Sequence, residues 1–177
     1  MRLPAMVALA LVALAAGGQP ARSRVPRAAL APLEAKFDGR FTQPGQADPF
    51  DLLGNTRAVY LNGYGVVFTA ELSLIVTPPV TPFRQAVTKE DIERIHRRKL
   101  AKLEGLKRAM REMMAEAARS LDGLPPGEQV VFAVTLFYYS WEQRAGLPSQ
   151  IIMQATKQEL VRGPAAAAEA AIRIEEL

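Results

Sequence analysis

The 177-residue chain holds a single histidine and no cysteine. A zinc site built from imidazoles and thiolates needs several such ligands, so none is expected. His96 falls near Ile92, Leu100 and Leu103 at helical spacing, which places it at the edge of an apolar face. A catalytic histidine needs an orienting carboxylate and a substrate pocket. The nearby acids Asp91 and Glu93 point to other faces of the same helix. Ser73, Ser120, Ser140 and Ser149 lie in neither a nucleophile elbow nor a Ser-x-x-Lys pattern. The carboxylates are dispersed, and no pair stands out. No catalytic residue, metal ligand or cofactor is therefore expected, and the sequence favours contact over chemistry.

Two groups of residues have the chemistry of contact. The first is aromatic. Tyr60 and Tyr64 flank Asn62-Gly63, the dipeptide of tight hairpin turns, and Tyr138, Tyr139 and Trp141 close a long apolar run. Tyr and Trp are strong contributors to protein interfaces, so these five are the candidate partner-binding residues. The second group is basic. Arg94, Arg97, Arg98, Lys102 and Arg108 fall opposite the apolar stripe of a helix and form a candidate contact for anionic surfaces or polymers. The competing reading is a solvated helix face supported by the pairs Glu90–Arg94, Glu93–Arg97 and Glu104–Arg108. Aromatic residues for stacking on bases are missing from this helix, and no nucleic-acid partner is expected. A phosphate-binding glycine loop is also unexpected, because Gly63 and Gly65 lie between two strands rather than before a helix.

These side chains need elements to hold them. Residues 1–21 read as a signal peptide: Arg2, the apolar run Ala5–Ala16, then small residues and Pro20. The run is shorter than the roughly 20 residues that span a bilayer, and no transmembrane helix is expected in the mature chain. Without cysteine there is neither a lipoprotein anchor nor a disulfide, and the product is expected to be periplasmic or secreted. With 22 basic and 18 acidic residues the chain is mildly basic.

Residues 22–51, with Pro26, Pro32, Pro44 and Pro49, read as a flexible leader. A single domain is expected over 52–177. A short strand at 57–61, a hairpin turn and a strand of period two to Val76 come first. Thr88, with Asp91 three residues on, begins a helix that runs to about Leu121 and would be about 50 Å long. Such a helix is longer than a four-stranded sheet can cover, so one end must overhang or meet a partner. A strand at 129–139, a loop, a strand at 150–156, a capping box at Thr156 and Glu159, and a last helix to about Glu175 complete the series. The expected fold is an α/β (α+β) two-layer sandwich: a mostly antiparallel sheet of about four strands under one long helix, in the order ββαββα.

The run Tyr60-Leu-Asn-Gly-Tyr-Gly-Val-Val-Phe68, with the later Trp141-Glu-Gln-Arg-Ala-Gly-Leu-Pro148, resembles small exported bacterial proteins of unknown function. The resemblance covers about residues 55–160 and implies no activity, so no residue roles are carried over. Together these features suggest an exported, non-enzymatic envelope protein. It would bind an unidentified envelope protein or assemble with itself.

Overall fold

A computed structural model of the protein describes residues 25–43, 48–77, 87–162 and 164–177. The expected signal peptide lies outside the described residues. Within them the fold is mixed α+β, with four helices and one six-stranded sheet.

The chain enters through a helix, α1, at Arg27–Thr42. This corrects the flexible leader expected over residues 22–51 and moves the start of the folded part ahead of residue 52. Leu30, Leu33, Phe37 and Phe41 recur at helical spacing and are all buried. Pro32 lies inside the helix and weakens the pattern to the eye, yet its ring faces solvent where it costs little packing. Phe37 meets Phe68 at 5.1 Å and Phe132 at 5.7 Å between ring centroids, so α1 supplies the centre of the core.

Strand β1 (Asp51–Leu52) and strand β2 (Arg57–Leu61) both pair antiparallel with one edge of β3 (Gly65–Ser73). Helix α2 (Lys89–Ser120) then returns the chain, so that β4 (Gln129–Leu136) lies parallel to β3, with Phe68 opposite Phe132. Strand β5 (Gln150–Thr156) is antiparallel to β4. Two short helices follow, α3 (Lys157–Val161) and α4 (Ala165–Ala170). Strand β6 (Arg173–Glu176) ends the sheet beside β5.

The sheet therefore has six strands, not four, and the order is not ββαββα. The expected last helix stops at Ala170. Ile174 then pairs with Met153 and turns into the core, which a strand achieves and a continued helix would not.

The expected hairpin is present between β2 and β3. Gly63 takes φ +80° in the turn. Gly65 has a different requirement: a Cβ there would lie 2.0 Å from the Gln129 carbonyl oxygen of the neighbouring parallel strand. Both capping boxes also form. Thr88 accepts from the Asp91 amide at 3.1 Å, and Thr156 accepts from Glu159 at 3.3 Å.

All the described helices pack on one face of the sheet. Val66, Phe68 and Leu72 of β3, Val130, Phe132 and Val134 of β4, and Ile151 and Met153 of β5 turn toward them and are buried. The alternate residues of the same strands point the other way, and Thr69, Glu71 and Thr135 there are exposed. Among the described residues no helix crosses that second face.

Candidate interaction surfaces

The five aromatic candidates do not form one site. Gly65 pairs with Gln129 at the start of β4, whereas Tyr138, Tyr139 and Trp141 follow its end. Eight strand residues at about 3.3 Å each separate Tyr60 and Tyr64 from the other three by roughly 26 Å.

Each aromatic has its own environment. Tyr64 stands at the hairpin tip and is 44% exposed. Tyr60 is half-buried against the core, with its hydroxyl 3.4 Å from Glu128 Oε1. Tyr138 is buried, which corrects its assignment to a contact surface. The strand alternation continues past β4, as the bond from the Phe137 amide to the Leu72 carbonyl at 2.9 Å shows. It turns Tyr138 toward α2 and its neighbours Phe137 and Tyr139 toward the opposite face. The Tyr138 hydroxyl donates to the Pro148 carbonyl at 2.7 Å. Burial, with the charge of Glu142, raises this phenol to about 12. Tyr139 is the hub of an aromatic stack: edge-on to Phe137 at 5.1 Å and parallel to Trp141 at 5.6 Å.

The basic candidates are divided too. Arg94 pairs with Asp91, and Arg98 with Asp48 at 3.2 Å. Lys102 turns in rather than out: its ammonium lies 4.5 Å over the Phe50 ring and donates to the carbonyls of Asp48 and Pro49. Burial lowers its pKa. Arg97 and Arg108 remain exposed, and neither forms an ion pair among the described residues. The expected i,i+4 pairs are replaced by Asp91–Arg94 and Glu104–Lys107, one residue closer. A cleft of about 370 Å³ lies beside Lys102 and Arg108, with Arg40, Asp48 and Glu112 also on its wall. Its charges are largely matched within the chain.

Three arrangements escaped the sequence. The first is a sealed ion pair. Lys99 Nζ meets Glu142 Oε2 at 2.5 Å with both side chains excluded from water, and the same ammonium lies 4.8 Å over the Tyr138 ring. The first third of α2 is fastened here. It meets the loop after β4, which His96 also joins through the Ala145 carbonyl at 2.7 Å. A lysine spaced like its exposed neighbours gives no sequence signal for such burial.

The second arrangement closes a sheet edge. At β2 the Ala58 amide donates to Glu34 Oε1 at 2.6 Å and the Ala58 carbonyl accepts from Arg27. Arg27 in turn holds Glu34 with both guanidinium nitrogens, and this hydrogen bonding keeps the Glu34 carboxyl below its ordinary value.

The third is the uncovered face of the sheet. Val59 is 50% and Leu61 46% exposed on it. Val67, Ala133 and Ile152 are half-buried, and the Phe137–Tyr139–Trp141 stack continues the line of β4.

No family model, curated protein or solved structure matches this chain.

The site must therefore be read from its own geometry. Among the described residues no group of three histidines or acids is placed to hold a metal. No helix among them is long and apolar enough to cross a membrane. The uncovered face is the surface best suited to a macromolecule. It combines apolar area, aromatic anchors and a polar rim in one continuous sheet.

Proposed function

We propose that this chain is an exported, non-enzymatic envelope protein that acts as an interaction or assembly module through the uncovered sheet face. The observation that carries the reading is the asymmetry of the sheet. One face is packed by every described helix, and the other presents Val59 and Leu61 to solvent at its hairpin end and an aromatic stack beyond the far end of β4. Exposed apolar patches on small proteins mark contact sites. Export is supported by the basic, apolar and small-residue series of Met1–Pro20.

A photo-crosslinking residue placed at Thr135, exposed on the central strand of that face, tests the reading in cells. It is expected to trap discrete adducts, while the same residue at Glu90 on α2 traps none. An absence of adducts at Thr135 would overturn the reading. Cell fractionation with amino-terminal sequencing tests export; a product retained with Met1–Ala21 in the cytoplasm would refute it.

A further inference from the structure

We infer that the occupant of the uncovered face is a second copy of this chain, packed sheet to sheet across a two-fold axis that runs along β4. This rests on the interaction reading above and names its partner.

Strand register leads to the axis. The uncovered face spans β2, β3, β4, β5 and β6, so β4 is its middle strand. A two-fold parallel to β4 lays β2 of one copy over β6 of the other and β3 over β5. It keeps the level along the strands unchanged. Arg57 is level with Thr69, which lies beside Ala133, then Ile152, then Glu175. The rotation therefore places Arg57 opposite the partner's Glu175 at one rim, where it would join the Arg173–Glu175 pair already formed at 2.7 Å within each chain, and repeats the contact at the other. Glu71 is level with Thr135 and Gln150, so it faces the amide of the partner's Gln150 in the same way. Opposite charges at matching heights on opposite edges are what an isologous interface requires.

The axis also explains where the aromatic residues lie. Residues on β4 meet their own counterparts. Ala133, half-buried, supplies a low, apolar centre beside Val131, which is already buried within its own chain, and Phe137 and Tyr139 continue the same line, with Trp141 stacked on Tyr139. Aromatic anchors are enriched at protein interfaces, and here they extend the axis past the end of β4.

Area is sufficient. Five strands about 4.8 Å apart, with roughly seven residues each at about 3.3 Å, cover roughly 550 Å² per copy. Two copies would bury about 1,100 Å², above the roughly 1,000 Å² that a biological interface should clear, before the aromatic extension is added. Pairing by edge addition at β2 is disfavoured, because Arg27 and Glu34 already bind the outward amide and carbonyl of Ala58.

The test is sedimentation equilibrium of the full mature chain with a charge-reversal cycle. The wild type is expected to dimerise reversibly. Arg57→Glu and Glu175→Lys should each weaken the dimer by about tenfold or more, since each sets like charges face to face. The double variant should recover most of the loss, because the pair is restored with reversed sign. Ala133→Glu, on the axis, should leave a folded monomer by circular dichroism. A wild-type chain that stays monomeric at every accessible concentration would overturn the inference. So would single variants that dimerise as the wild type does. An Ala133→Glu chain that unfolds as a monomer would place another segment of the same chain on the face, and would overturn it as well. The two levels fail differently in the crosslinking experiment. Thr135 adducts of a mass other than twice the chain refute the second copy and keep the interaction reading; no adducts refute both.

Discussion

Lys99 on α2 and Glu142 in the loop after β4 form an ion pair at 2.5 Å from which water is excluded on both sides. Two charges moved from water into the interior lose much solvation energy, and their mutual attraction offsets it only while both are present. The pair fastens the first third of α2 to the loop that carries Trp141. It thereby links the helical layer to the aromatic end of the opposite face.

Breaking that pair on one side should be costly. Lys99→Met leaves a buried carboxylate unpaired and is expected to lose about 3–5 kcal/mol of stability. Adding Glu142→Leu should recover most of it. Urea unfolding followed by Trp141, the chain's one tryptophan, measures both. A single variant as stable as wild type would show that water reaches Glu142.

Glu34 gives an acid-side signature. Hydrogen bonding from Arg27, and then from the Ala58 amide, lowers its carboxyl from 4.5, while burial opposes the shift. The ionised form is thus the one the fold prefers. Its contribution should be fully present above about pH 4.5 and fall away as pH drops through the lower folded value. Glu34→Gln should cost about 1–3 kcal/mol at neutral pH and flatten the acid limb of a stability–pH curve. It should also leave the β2 edge more open to exchange at Ala58.

Tyr138 gives the alkaline counterpart. Its phenol is raised from 10.0 to about 12, first by burial and then by Glu142. A raised value means the protonated form is favoured in the fold. The associated stability is complete below pH 10 and is lost as pH rises toward about 12. In a phenolate absorbance titration, a late step near pH 12 is expected, and Tyr138→Phe should remove it.

Gly65→Ala should disrupt the start of the parallel pair. The added methyl would meet backbone at 2.0 Å, in a residue held at φ +142°. A loss of about 2–4 kcal/mol is expected in chemical denaturation, far more than at Gly105, where a Cβ meets open space.

The anionic-surface alternative narrows to two residues. Arg97→Gln with Arg108→Gln should reduce any salt-sensitive retention on anionic vesicles, because both side chains are exposed without an ion pair. Arg98→Gln and Lys102→Gln should change it little, since both are engaged at Asp48. Equal effects from the two pairs would return the whole basic stripe to consideration.

Much of this molecule is local and therefore legible in its residues. A period-two run marked β3, a run apolar on both faces marked β4, Asn62-Gly63 marked the hairpin, and Thr88 and Thr156 marked two helix starts with partners three residues on. Each signal lies within one element or one turn, where neighbours in sequence are neighbours in space. The helix α1 shows the limit. Its apolar spacing is present, but prolines on both sides and within it weigh toward a leader until Phe37 is seen against Phe68 and Phe132.

The sequence by itself determined that a long amphipathic helix, alternating strands and a hairpin would form, because backbone preference and hydrophobic period are properties of short segments. Only the tertiary structure decided which side chains those segments present. Tyr138 and Lys99 turned inward, Lys102 folded onto Phe50, and none of the described helices covers the second sheet face. Those outcomes depend on crossover direction and on contacts between residues 43 or more positions apart, such as Lys99 with Glu142. No local pattern records which of two apolar faces will find a partner within its own chain.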